Sequence, residues 1–250
     1  MDRSDGRGRW LMPVLLMVVL MSLQTNAGDS QAQREAMLEA IRQSVRDSAG
    51  YTGRSELSPA VMAAMGAVPR EEFVPPAHRH LAYQNSPQPI AAGQTISQPL
   101  IVALMTDLLD PQPGDRVLEV GTGSGYQAAV LAKLVAHVYS IEIHRQLAEG
   151  AADVLQRLGY ANVTVRTGDG YAGWPGQAPF DKIIVTAAPE TIPAPLLEQL
   201  KPGGKLVIPV GAEHGFQELL LVEAGAAGEA SRRSVLPVRF VPLTRDDDLD

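Results

Sequence analysis

The sequence predicts an α/β protein: a doubly wound, mostly parallel sheet finished by a C-terminal antiparallel hairpin. Three observations carry that prediction. Apolar, strand-like runs alternate with helix-like stretches over residues 116–210, the pattern of a parallel sheet covered by helices on both faces. A glycine-rich turn, Gly121-Thr122-Gly123-Ser124-Gly125, joins the first of those runs to a helix, and its glycines allow a tight turn and close approach of a ligand. Near the end, two strand-like runs at 217–222 and 234–241 are joined by a Gly/Ala/Ser-rich link. That link leaves no room for a crossover helix, so the pair must be antiparallel.

Composition bounds the rest. The chain has 250 residues, 45% hydrophobic and 20% charged, with a net charge of −7, which fits one globular domain with an ample core. A sequence pI near 5.3 argues against nucleic acid as the main partner. With no cysteine, disulfides, thiolate metal sites and a cysteine nucleophile are impossible. The histidines His78, His80, His137, His144 and His214 show no metal-ligand spacing, and no metal is expected.

In chain order, residues 1–27 stand apart from the fold. Arg3, Arg7 and Arg9 precede an apolar run at 10–23, and Gln24-Thr25-Asn26-Ala27 follows. This resembles a secretory signal cleaved after Ala27. The run is short for a spanning helix, and an overlong gene start or a membrane tether are the rival readings. The folded domain is expected over 28–245, and the acidic tail 246–250 should fray.

Met37, Leu38, Ile41 and Val45 fall at helical spacing over 33–48. Ser58-Pro59 reads as an N-cap followed by Pro at the first helical position, opening a helix over 60–65. A proline-bounded connector at 69–76 leads to an irregular segment, 83–97, of the kind that is often functional. Ser97 then precedes a helix reaching about Leu109, and spacing alone makes it the N-cap. Strands are expected at 117–120, 138–142, 162–166, 181–187 and 205–210, with helices at 126–135, 145–158 and 194–200. Lys201-Pro202-Gly203-Gly204 reads as a turn.

The glycine turn invites nucleotide readings. A P-loop needs Lys-Ser/Thr after its last glycine; here Tyr126-Gln127 stands there, which removes that option. Gly123-x-Gly125-x-x-Ala128 does match the looser dinucleotide fingerprint. Against it stands Glu119 inside the preceding strand, an acid costly to bury unpaired and better suited to a cationic ligand than to pyrophosphate. S-adenosylmethionine, with a sulfonium, an ammonium and no phosphate, is favoured over NAD. Glu119, Glu142 and Asp169 stand near the carboxyl ends of successive strands, where open α/β sheets bind ligands. Glu142 follows Gly121 by 21 residues, a distance that suits an acid accepting ribose hydroxyls. No serine triad can be assembled, because Gly123-Ser124-Gly125 lacks the nucleophile-elbow frame.

Several motifs together give a resemblance. They are Pro69-Arg70-Glu71-x-Phe73-Val74, Asn85-x-Pro87-x-Pro89-Ile90, Gly93-Gln94-Thr95-Ile96-Ser97-Gln98-Pro99 and Leu118-Glu119-Val120 with the glycine turn. Gly168-Asp169-Gly170, Phe180-Asp181-x-Ile183-Ile184-Val185-Thr186-Ala187-Ala188-Pro189 and Arg239-Phe240-Val241-Pro242-Leu243 complete the set. Across residues 34–243 the chain resembles protein-L-isoaspartate O-methyltransferases of the bacterial branch; residues 1–33 depart from that pattern.

The resemblance implies a Rossmann-like class I methyltransferase fold, S-adenosylmethionine as methyl donor, and methylation of the free carboxylate of L-isoaspartyl residues in damaged proteins. It implies Ser97 as the active-site serine, within a substrate loop containing Ile90, Gln94, Thr95 and Ile96. The turn from Gly121 to Gly125, with Thr122 and Gly123 in it, would take the methionine part of the donor, Glu142 its ribose, and Asp169 with Gly170 its adenine end; Glu119, from its place in the strand, is counted with the cofactor-binding residues. Thr244 would lie near the site. The rival functions are another class I methyltransferase, acting on a small acid or tRNA, and a non-catalytic adaptor binding damaged peptides. Dependence on S-adenosylmethionine sets the expected compartment as the cytoplasm, despite the signal-like leader; the alternative is periplasmic or secreted. A monomer without a stable membrane span is expected.

Overall fold

A computed structural model describes residues 30–225 and 229–245; the leader at 1–27 and the tail at 246–250 lie outside the described residues. Residues 30–47 form helix α1, which buries Met37, Ile41 and Val45 along one face, as their spacing requires. After the short α2 (Ala49–Thr52) comes α3 (Pro59–Ala67). Ser58 caps α3 as expected, its hydroxyl accepting from the Val61 amide at 3.3 Å. The proline-bounded connector winds into two 3₁₀ segments, Arg70–Phe73 and Pro76–Leu81. The irregular segment that follows carries a small antiparallel pair, β1 (Gln88–Pro89) and β2 (Thr95–Ile96). Helix α4 (Pro99–Leu109) then crosses the interior, with most of its residues buried.

From here strands and helices alternate: β3 (Arg116–Val120), α5 (Tyr126–Ala132), β4 (His137–Glu142), α6 (Arg145–Arg157), β5 (Val163–Thr167), β6 (Phe180–Val185), α7 (Ala194–Glu198) and β7 (Leu200–Gly211). β8 (Gln217–Ala224) and β9 (Ala230–Val238) complete one sheet in the order β5-β4-β3-β6-β7-β8-β9. The pairs from β5 through β7 are parallel, and β7-β8 and β8-β9 are antiparallel. The predicted fold class is therefore the observed one. The direction of winding reverses at β3, between β4 and β6, which opens a crevice at the strands' carboxyl ends.

Alternation along β3 explains the two-sided core. Val117 packs with α1, α3, α4 and α5 on one face, while Leu118 and Val120 pack with Phe180, Ile183, Leu196 and Ile208 on the other. Two departures from expectation change the sheet. Residues 201–204 are not a separate turn, because β7 begins at Leu200 opposite Phe180 and shifts register before Lys205 meets Lys182. β9 runs Ala230–Val238 rather than 234–241. The ladder extends back through Ser231↔Glu223 and Ala230↔Ala224, since polar side chains at 231–234 stand exposed on an edge strand. Among the described residues no helix is long and apolar enough to cross a membrane.

Candidate active site

The crevice at the carboxyl ends of β3, β4 and β6 has a volume of about 750 Å³, counting its open mouth. Its floor is the glycine turn. Gly121 and Thr122 donate their amides to the Ile141 carbonyl at 2.8 and 3.3 Å, and Gly125 donates to the Thr122 carbonyl at 2.8 Å. Gly121 sits at φ 93°, where a side chain would collide with the Thr186 hydroxyl. That hydroxyl already donates to the Gly121 carbonyl at 2.6 Å, so glycine is required there by conformation and by space.

Glu142, ending β4, holds the turn from the side. Its Oε2 accepts from the Gly123 amide at 2.8 Å, and its Oε1 accepts from the His144 amide at 3.0 Å. A carboxylate oxygen has spare lone pairs, so both can also meet a ligand's hydroxyls.

Glu119 is placed differently. The pleat turns it to the Val117 face beneath α5, and it is fully buried, outside the crevice lining. It accepts from Ser140, whose hydroxyl lies 2.6 Å from that of Thr122. Burial pushes the Glu119 carboxyl up to about 8; the Ser140 hydroxyl and the Ala128 amide pull it down, while the Glu142 charge raises it. Near neutral pH Glu119 is therefore mostly protonated. The expectation of a carboxylate facing a cationic ligand is corrected: Glu119 supports Thr122 from below through Ser140.

The opposite wall is the segment 83–97. Gln94, Thr95, Ile96 and Ser97 line the crevice, and Ile90 reaches over Gly123, its Cδ1 3.6 Å from where a Cβ would stand. Ser97 is not the N-cap that spacing suggests. The cap position belongs to Gln98, without a side-chain bond, and the Leu100 amide is taken by Asn85 Oδ1 at 3.0 Å. A residue fifteen positions upstream supplies the cap, so the Ser97 hydroxyl is left to the crevice.

A third wall comes from far along the chain. The Ala188 amide donates to the Val241 carbonyl at 2.8 Å, and the Leu243 amide donates to the Ala188 carbonyl at 2.9 Å, a parallel bridge between Ala188 and Pro242. This brings Val241, Pro242, Leu243 and Thr244 to the crevice. Gly170 lines it as well, whereas Asp169 turns away to cap its own 3₁₀ turn, accepting from the Tyr171 amide at 2.8 Å. Gly125 also lies off the lining; it packs against Ala151 and Leu155 of α6.

With these walls in place, the crevice can be set beside known proteins. The family model for protein-L-isoaspartate (D-aspartate) O-methyltransferase matches residues 50–248. The chain belongs to that family. A protein-L-isoaspartate O-methyltransferase of Cupriavidus necator is 54% identical over 94% of this chain and 92% of its own length. One from a Polaromonas species is 58% identical over 83% of this chain and 99% of its own. A solved protein-L-isoaspartate O-methyltransferase superposes with a TM-score of 0.72 at 29% identity, covering 84% of this chain and 66% of that one. Another, from Plasmodium falciparum and in complex with S-adenosyl-L-homocysteine, gives 0.70 at 25% identity, covering 85% and 99%.

Within this family member, the crevice gathers Ser97, Gly121, Thr122, Gly123, Glu142, Gly170, Thr244 and the loop residues Gln94, Thr95 and Ile96. It leaves Glu119, Gly125 and Asp169 behind the lining, and Ile90 packs over Gly123 at its edge. Sequence reasoning missed Gln127, Ile143, His144, Thr186 and Leu243 as lining residues. Ile143, His144 and Thr186 directly follow strands, a position that itself signals access to the crevice. Among the described residues no group of three His, Asp or Glu gathers as a metal site.

Proposed function

We propose that this protein transfers the methyl group of S-adenosylmethionine to the free carboxylate of L-isoaspartyl residues in damaged peptides and proteins, starting their repair. The observation that carries this reading is the meeting of Ser97 and the glycine turn across one crevice, with Glu142 at its side. The donor set suits the cofactor. Bare glycine backbone admits its methionine end, Glu142 can accept from ribose hydroxyls, and Gly170 with Leu243 offers a small, apolar wall beyond. Bound there, S-adenosylmethionine would supply an electrophilic methyl group on a sulfonium.

The chain's own residues have little proton chemistry to perform. A substrate carboxylate with pKa about 4 is ionised at neutral pH, so no strong base is needed. The task is placement: the Ser97 hydroxyl donates to one carboxylate oxygen and leaves the other free to attack, while Ile90 and Ile96 exclude water above the glycine turn. Fixed geometry of this kind supplies much of the rate in bimolecular transfers. Both reacting charges vanish on transfer, so a closed, weakly polar site favours it.

Methyl transfer from labelled donor to matched isoaspartyl and aspartyl peptides tests the proposal. Label on the isoaspartyl peptide alone is expected. Equal labelling would overturn the substrate, and no labelling of either would overturn the activity. Dependence on S-adenosylmethionine supports a cytoplasmic working form, and the acidic charge supports peptide rather than nucleic-acid substrates.

A further inference from the structure

Arg70 is fully buried, although it lies outside the crevice lining and has no carboxylate partner among the described residues. Its guanidinium donates from Nε to the Ala82 carbonyl at 2.8 Å and from Nη2 to the Ser97 carbonyl at 2.7 Å. Its Cζ lies over the Tyr126 ring, 4.6 Å from the centroid, and Tyr126 opens α5 directly after the glycine turn. Among the described residues Nη1 has no hydrogen-bond partner within bonding distance.

These contacts share one geometry. Ala82 and Ser97 bracket the substrate loop, so one rigid fork holds both of its ends at a single point. The Tyr126 ring beneath that fork belongs to the donor side of the crevice. Burying an arginine to bind two neutral carbonyls is a costly way to close a loop. A rigid planar fork, however, sets the two carbonyls at a fixed spacing that a flexible ammonium cannot reproduce.

We propose that Arg70 is a positioning residue for methyl transfer, fastening both ends of the substrate loop and seating them on Tyr126 so that Ser97 stands at a fixed distance from the glycine turn. This rests on the crevice being the transfer site, and in-line transfer is sensitive to displacements near 1 Å, which cost on the order of 100-fold in rate. Arg70 would thus act on turnover through Ser97, and on donor affinity hardly at all.

The test uses the full chain and the Arg70→Lys and Arg70→Met variants. Steady-state transfer to an isoaspartyl peptide gives kcat and KM, calorimetry gives S-adenosylhomocysteine affinity, and amide hydrogen exchange reads the loop. Arg70→Lys is expected to lose on the order of 100-fold in kcat, keep donor-site affinity within about threefold, and expose the Ile90, Gln94 and Leu100 amides while the β3–β6 ladder stays protected. Arg70→Met should do the same or more. Unchanged kcat in a folded variant, or exchange that rises uniformly across the sheet, would reduce Arg70 to a core staple and overturn the proposal. Should neither variant fold, exchange in the unaltered protein decides: the loop amides should open together with the Arg70 Nε proton, and independent opening would overturn it. A wild-type protein inactive on isoaspartyl peptides would count against the proposed function, while the exchange pattern would still judge Arg70.

Discussion

The glycine turn and the substrate loop face each other across one crevice, yet they are held by different means. The turn is fixed by its neighbours in the sheet: the Ile141 carbonyl, the Glu142 carboxylate and the Thr186 hydroxyl all reach it from the ends of adjacent strands. The loop has no such frame. Its own ladder is two residues long, and its ends are tied by side-chain bonds: Arg70 to the Ser97 carbonyl, Gln98 to the Asn85 carbonyl at 3.0 Å, and the Leu100 amide to Asn85. Anchorage in a sheet ladder is cooperative, whereas anchorage by a few side chains can be released at low cost. The glycine turn is therefore a platform built into the sheet, and the segment 83–97 a cover fitted onto it by a few side chains.

That contrast can be broken by substitution. The largest effect is expected for Ser97→Ala, with turnover falling on the order of 100-fold, as for loss of a single aligned donor. Its melting temperature should hardly move, because Asn85 and not Ser97 caps α4. A variant that melts early yet turns over normally would return Ser97 to a structural role. Next comes Glu142→Ala, which removes the acceptor bracing Gly123. Donor affinity should fall by about 1–3 kcal/mol, read by calorimetry, and unchanged affinity in a folded variant would take Glu142 out of the site.

Asn85→Ala should cost about 1 kcal/mol of stability, the usual worth of a helix cap. Because Asn85 Nδ2 also donates to the Ser44 hydroxyl at 3.2 Å, the variant should loosen the loop against α1 and raise KM more than donor affinity changes. A pH dependence sharpens the donor side. Glu119, raised by burial to about 8, holds a proton in the folded state that the unfolded chain releases near its ordinary value of 4.5. Stability should then decline as pH rises from about 4.5 toward about 8. Glu119→Gln, a mimic of the protonated form, should flatten that slope in melting curves; an unchanged slope would assign the pH dependence to other groups.

The same division governs what the sequence made legible. Strands β3, β4 and β6, the glycine turn and Glu142 announce themselves through local signals: apolar runs, turn residues, and an acid at a strand end. Ser58 likewise declares its cap by standing before Pro59. The cover could not be read this way. Nothing near Ser97 in the chain reveals that Asn85 will cap its helix, or that Arg70 will bind its carbonyl from 27 residues away. Glu119 and Asp169 were legible as acids in the right strands, but not in direction; pleat and capping turned the one under α5 and the other onto Tyr171. Position along a strand is written locally, while the partner of a polar side chain is decided by packing.

The bridge between Ala188 and Pro242 has a consequence in time. The residues that complete the crevice wall, 241–244, lie roughly 120 positions after the glycine turn. At synthesis speeds of about 5–20 residues per second, the donor platform is made on the order of ten seconds before its far wall. A nascent chain stopped short of residue 240 would carry β3, β4 and Glu142 but no Leu243 or Thr244 beside them. Ribosome-bound intermediates of this enzyme should therefore remain silent, with activity switched on by the arrival of one short extended segment.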